Sequence, residues 1–432
     1  MKYYSLKHGS PAADFKTATL LGQAPDRGLY FPEQIPVWPA GFLERCRQMP
    51  AADMAFEVMK PYVSDSLPDD VLHRIVAETL SFPIPLVPIT ENISTLELFH
   101  GPTLAFKDIG ARFMSRCLGY FAGQDRGKVV VLVATSGDTG GAVANGFFNV
   151  PGVDVVILYP SGKVSPVQEK QLTALGGNIH ALEVDGNFDD CQRMVKEAFA
   201  DKELTQRVFL TSANSINVAR WLPQQLYYIM AWTQWKEISP PVISVPSGNF
   251  GNICAGLVAW KSGLPVAHFI AACNINDVVP RFLEGEGYHP RPAQATLSNA
   301  MDVGDPSNFI RILELFNQDE PALKEMLGSD RITDEETEDT IRQVYNANGY
   351  MLDPHGAVGF LALQRYLQKH AGQKGFFLET AHPLKFPGSV ERLTGETIPV
   401  PAHVLPVLQG EKKSTRVGTG YPGLKEILLT FR

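Results

Sequence analysis

Six apolar residues in a row, Val129 to Ala134, run straight into Thr135-Ser-Gly-Asp-Thr-Gly-Gly141 and then a helical pattern through Ala142, Val143, Ala144 and Phe147. No other stretch constrains the fold as much. A strand that is apolar at every position is buried on both faces, as in a parallel sheet flanked by helices. The unit recurs. Val153–Tyr159, apolar but for Asp154, is the next strand, and Ser165-Pro166 opens a helix that closes at Gly176-Gly177, with serine as N-cap and proline in the first turn. Further strands are expected at 179–184, 208–211, 241–246, 266–272 and 375–380, and helices at 189–199, 253–261, 334–346 and 356–367. A long helix over 218–235 should be perturbed at Pro223. Strands alternating with helices in this way imply parallel βαβ units and a doubly wound α/β architecture.

The 432 residues exceed one core, at ~100–200 residues per domain. Residues 1–85 lack the alternation and read as an N-terminal domain, with helices at 51–60 and 69–77 and an extended piece at Ala24–Pro32. Phe82-Pro-Ile-Pro-Leu-Val-Pro88 reads as an extended link. Residues 86–126 with 214–400 are expected to form a large domain, 127–213 a small one, and 401–432 a weakly patterned tail; 285–330 reads as an irregular flap. Net charge is −8, which argues against general nucleic-acid binding. No apolar run spans a bilayer, and the N-terminus shows no signal pattern. The five cysteines include no C-x-x-C pair, so buried free thiols in a reducing cytoplasm are expected. The ten histidines show no metal-ligand spacing, so no metal is expected.

Three features can carry chemistry. The first is Lys107, where an apolar Leu104-Ala-Phe106 turn meets a helix whose face is Phe113, Met114, Cys117, Leu118 and Phe121. A helix start disfavours a cation, so dipole and burial together would depress its pKa, as a Schiff-base lysine requires. A surface lysine snorkelling past an apolar loop is the plainer alternative. The second is Ser247-Gly-Asn-Phe-Gly-Asn252, placed between a buried strand and a helix. Its glycines and successive N–H groups suit a phosphate, or simply a tight corner. The third is Ser136-Gly-Asp-Thr-Gly-Gly141, in the same kind of place. It suits a substrate carboxylate, or is a structural turn capped by Asp138 or Thr139. Thr380 and His382 end an apolar strand, where ligands gather in open α/β sheets. Gly418-Thr-Gly-Tyr-Pro-Gly423 matches a dinucleotide fingerprint but follows no strong strand and is read as chance.

Taken together, His100-Gly-Pro-Thr-Leu-Ala-Phe-Lys-Asp108, Ala24–Pro32, Ala134–Ala142, Ser212-Ala-Asn-Ser-Ile-Asn217, Pro246–Asn252 and Thr380-Ala-His-Pro-Leu-Lys-Phe386 resemble the long-form threonine synthase family, over nearly all of the chain. The resemblance implies fold type II of pyridoxal-phosphate enzymes: two doubly wound parallel-sheet domains plus an N-terminal domain. It implies a lyase that converts O-phospho-L-homoserine and water to L-threonine and phosphate, with pyridoxal 5'-phosphate as cofactor. By position, Lys107 carries the cofactor, Gly248, Asn249, Phe250, Gly251 and Asn252 cradle its phosphate, and Thr380 faces the pyridine nitrogen. Ser136, Gly137 and Thr139 would hold the substrate carboxylate, and Asp138 would approach the cofactor's 3′-oxygen. Another subgroup of relatives has asparagine at that place, and a carboxylate there would repel the phenolate. Arg112, Lys163, Arg220 and Lys385 lie near these motifs and are candidates for the substrate phosphate, with Arg112 and Lys163 assigned to it. A monomer or homodimer in the cytoplasm, without nucleic-acid or membrane partner, is expected. The rival readings are a threonine or serine dehydratase-like lyase of the same fold, a cofactor-binding relative without activity, and a dinucleotide-dependent dehydrogenase lacking a credible fingerprint.

Overall fold

The computed structural model describes residues 1–125 and 128–431, so the expected boundary between 126 and 127 lies outside the described residues. Its strands are β1 (Tyr3–Ser5), β2 (Tyr30–Pro32), β3 (Leu86–Pro88), β4 (Ile93–Glu97), β5 (Val129–Ala134), β6 (Val153–Pro160), β7 (Ile179–Val184), β8 (Phe209–Thr211), β9 (Val242–Pro246), β10 (His268–Cys273), β11 (Leu327–Arg331), β12 (Gly375–Glu379) and β13 (Ser414–Val417). A six-stranded sheet runs β11-β10-β9-β12-β4-β3 and a five-stranded sheet runs β13-β7-β6-β5-β8. Every pairing in them is parallel except β3 with β4. β1 and β2 pair antiparallel in the N-terminal segment.

The all-apolar strand behaves as its composition requires. Val129, Val131 and Val133 of β5 enter the core shared with the helix Lys107–Asp125 and the N-terminal segment, while Val130 and Leu132 enter a second core with Cys191, Met194, Leu424 and Leu428. Successive side chains point to opposite faces, so both faces must be covered by helices. The six-stranded sheet does the same: Ile243 and Val245 of β9 face one core, Val242 the other, with Ile341, Val344 and Val358.

Helix starts follow the expected chemistry. Ser165 and Gln168 form a capping box at the start of the helix Pro166–Thr173, and Gly176 and Gly177 follow it at φ 68° and 63°. Pro223 turns the long helix into α-helical Val218–Trp221, a 3-10 turn at Leu222–Gln224 and a second helix Gln225–Gln234. All five cysteines are free and buried.

The proline-rich link is extended as expected and ends in an edge strand, β3, where an edge position tolerates Pro88. Two expectations need correction. Residues 285–308 are irregular as expected apart from a 3-10 turn at Asn299–Met301, but 309–330 is not: it holds helices Phe309–Leu315 and Glu320–Met326 and most of strand β11, which pairs with β10. Residues 401–432 are not a separate tail. β13 extends the five-stranded sheet beside β7, and the helix Tyr421–Leu428 buries Leu424 and Leu428 against the helix Phe188–Ala200.

Candidate active site

β9, β12 and β4 are neighbours, parallel and in register, so their carboxyl ends open on one edge. Adjacent strands lie about 4.8 Å apart, which sets three loops side by side: the one after β9 with Gly248, the one after β12 with Thr380, and the one after β4 with Lys107. The last two are laced together. Leu98 N–H donates to the Glu379 carbonyl at 3.0 Å, Phe106 N–H to Thr380 at 2.9 Å, and His382 N–H to Leu104 at 3.0 Å. Lys107 therefore starts its helix beside Thr380. Leu104 is held at φ 59°, a strained conformation for leucine that these flanking bonds fix.

Lys107 is 16% exposed, and its Nζ lies 3.5 Å from Asp138 Oδ2. Asp138 Oδ1 accepts from Lys385 Nζ at 2.6 Å and from Gln168 Nε2 at 3.0 Å. Burial is the largest influence on Lys107 and depresses its pKa. Asp138 opposes this, while Lys385 and Arg220 add to it. Burial alone would raise Asp138, but Lys385 and then Lys107 hold its carboxyl far below the usual range. Lys385, fully buried, also donates to the Thr103 carbonyl at 3.0 Å. The Asp138 carboxylate is thus paired with a buried cation, Lys385, rather than standing as a lone charge.

Asp138 begins the helix Asp138–Phe147, which has no side-chain cap. The N–H groups of Ser136, Asp138 and Thr139 donate to no protein acceptor among the described residues. They form an anion nest next to Lys107. Gly137 is required here: its φ is 141°, and a Cβ would meet Gln168 Cδ at 2.4 Å.

The Gly248–Asn252 turn is a second nest. Phe250 adopts the left-handed conformation at φ 61°, and the helix Gly251–Lys261 starts without a side-chain cap. None of the five N–H groups from Gly248 to Asn252 donates to a protein acceptor among the described residues. Gly248 packs under Met301, whose Cα an added Cβ would approach to 2.6 Å. The helix Gln225–Gln234 braces the turn against the lysine loop: Tyr227 hydroxyl donates to the Phe106 carbonyl and Tyr228 hydroxyl to Asn252 at 2.7 Å.

The predicted residues divide. Lys107, Thr380 and the Gly248–Asn252 loop share the strand-end edge of the six-stranded sheet, and Asp138, on the loop after β5 of the five-stranded sheet, meets Lys107 from the other side. Lys385 and Arg220 join the Lys107 cluster, Arg220 fully buried and depressed to about 10 by burial. Arg112 does not join it. Its Nη2 donates to the Glu78 carbonyl at 2.6 Å and to Ser81 Oγ at 2.9 Å, and it covers Phe82, so it ties the helix to the N-terminal segment. Lys163 is exposed and has no carboxylate partner among the described residues. Sequence reasoning missed Gln168 and Gln171. Gln171 donates to the Thr103 carbonyl at 3.0 Å, and only the capping box hinted at the orientation of their helix. It also missed the buried Glu379, which lies beside Asp353 and is raised by burial and by that neighbour.

These residues fit a phosphorylated pyridoxal cofactor: a pKa-depressed lysine for its aldehyde and an unsatisfied nest for its phosphate. Fold and site together define a pyridoxal-phosphate-dependent enzyme. Family models agree: "Pyridoxal-phosphate dependent enzyme" matches residues 91–377, "Threonine synthase N terminus" 2–80 and "Threonine synthase, C-terminal" 356–427. A threonine synthase of Serratia marcescens is 44% identical, covering 97% of this chain and 99% of its own. The crystal structure of threonine synthase from Escherichia coli superposes with a TM-score of 0.91 at 42% identity over all of both chains. That of a PLP-bound threonine synthase from Brucella melitensis gives 0.93 at 35%, covering 100% of this chain and 99% of that one. The chain belongs to the threonine synthase family. It is a pyridoxal-phosphate-dependent lyase of fold type II acting on a small molecule. No helix among the described residues is long and apolar enough to cross a membrane.

Proposed function

We propose that this chain converts O-phospho-L-homoserine and water to L-threonine and phosphate. The observation that carries the reading is a part-buried, pKa-depressed Lys107 fixed beside Thr380, in a chain 44% identical to a threonine synthase over 97% of its length. When bound, the cofactor supplies an electron sink conjugated to the substrate's α-carbon. The chain supplies position and proton transfer. Lys107, its pKa depressed chiefly by burial, moves protons first at Cα and then at Cβ of the substrate. Asp138 orients that amine, and Lys385 cancels its charge. Gly248, Asn249, Phe250, Gly251 and Asn252 would hold the cofactor phosphate on their N–H groups, and Thr380, at the end of β12, would face the pyridine ring. The Ser136–Thr139 nest holds the substrate carboxylate. Arg220, buried without a carboxylate partner among the described residues, biases the cluster toward an anion such as the substrate phosphate.

For the domains we propose 1–85, then 86–126 with 214–400 around the six-stranded sheet, and 127–213 joined by the C-terminal segment around the five-stranded sheet. A cytoplasmic location is supported by the five buried free thiols. The test is an assay of the purified full chain with pyridoxal phosphate. Phosphate release matched mole for mole by threonine is expected. Conversion of added threonine to a keto acid, without phosphate release from phosphohomoserine, would favour the dehydratase reading instead.

A further inference from the structure

Arg311 lies in the segment whose sequence looked irregular, and its side chain is fully buried. Among the described residues it has no carboxylate partner, so its charge is uncompensated and burial depresses its pKa to about 10. A buried charge without a counterion is costly unless its donors are hydrogen-bonded. Its guanidinium lies over the Trp221 ring, 4.4 Å from the centroid. Its hydrogen bonds are specific. Nε and Nη2 donate to the Tyr30 carbonyl at 3.2 and 2.9 Å, Nη2 to Ile216 at 2.6 Å, and Nη1 to Asn308 Oδ1 at 2.6 Å.

The last bond fixes the Asn308 carboxamide. With Oδ1 turned to Arg311, Nδ2 must face the other way, and it donates to the Asn249 carbonyl at 3.1 Å. That carbonyl also accepts from Asn308 N–H at 3.3 Å. The Asn249 side chain is clamped as well, donating to Ser215 Oγ at 2.6 Å and accepting from Ser307 N–H at 2.7 Å. In a trans peptide the carbonyl and the next N–H point in opposite directions. Drawing the Asn249 carbonyl toward Asn308 therefore aims the Phe250 N–H into the nest.

We infer that Arg311 is a positioning residue for the anion nest at Gly248–Asn252: through Asn308 it orients the Asn249–Phe250 peptide, and it leaves an unbalanced positive charge behind the site of a phosphate dianion. This rests on reading that turn as the cofactor-phosphate site. The test measures the affinity of the full-length apoprotein for pyridoxal phosphate and for pyridoxal, in wild type, Gly248→Ala, Arg311→Met and Asn308→Ala. The informative quantity is the ratio of the two affinities, because general loosening of the fold weakens both ligands alike. Arg311→Met should cut the preference for the phosphorylated form by about tenfold or more, and Asn308→Ala should cut it in the same direction. Arg311→Lys keeps the charge but loses the planar fork, and should recover part of the preference. If Gly248→Ala leaves the preference intact, the reading of the turn fails. If Gly248→Ala lowers it while Arg311→Met does not, the turn stands and this inference is overturned. Should Arg311→Met not fold, an unchanged ratio in Asn308→Ala overturns it equally.

Discussion

Asp138 shows how one side chain's role depends on its partners. Alone at a helix start beside an apolar strand, it reads as a helix cap or as an electrostatic liability. Lys385 at 2.6 Å and Lys107 at 3.5 Å make it the counterion of a buried cationic cluster. Lys107 was legible in the sequence because its surroundings, a broken strand and an amphipathic helix, are local. The pairing with Lys385 was not, since it joins residues from the two sheets' loops that only the fold brings together. Asp138 is the largest influence raising the Lys107 pKa against burial. Removing its charge in Asp138→Asn should therefore lower that pKa further, so the amine stays deprotonated at lower pH. The midpoint of the pH dependence with which the apoprotein attaches pyridoxal phosphate should move to lower pH, read from the absorbance of the bound cofactor. A midpoint that stays or rises would show that Asp138 does not act on Lys107.

At the scale of elements, what could be read was what carries its own period. β5 is apolar throughout, β6 and β9 are apolar but for Asp154 and Ser244, and the helices read at 334–346 and 356–367 show stripes, to which the structure adds a capping box at Thr333 and an Asp353 cap. What could not be read was structure supported from outside. β11 is Leu-Gly-Ser-Asp-Arg, with no strand preference of its own, and forms because β10 offers a free edge. β13 is Ser-Thr-Arg-Val, with no buried residue, and pairs with β7 in the same way. The short helix after it has two inward leucines, Leu424 and Leu428, four residues apart and fully buried. If this C-terminal segment is an integral part of the small sheet's core, Leu428→Ala should cost about 2–5 kcal/mol in urea unfolding. A loss under about 0.5 kcal/mol would mean the segment is a surface appendage.

For the whole molecule, the decisive fact is strand order. Lys107, Thr380 and the Gly248 turn stand far apart along the chain, and they meet because β4, β12 and β9 are adjacent and parallel. Periodicity announced the strands, and the rule that ligands gather at their carboxyl ends announced the edge, but neither gave the order. The N-terminal segment is tied to the same assembly at several places, among them Arg112 to Glu78 and Ser81, Arg311 to Tyr30, and Asn217 to Thr19.

The account turns on which amine takes the cofactor, since two lysines, the part-buried Lys107 and the buried Lys385, share the Asp138 carboxylate. Borohydride reduction of the pyridoxal-phosphate-loaded protein, followed by peptide mass mapping, answers this directly. The account predicts a single pyridoxyl label on Lys107, absent in Lys107→Ala. A label on Lys385, or one that persists when Lys107 is replaced, would contradict it.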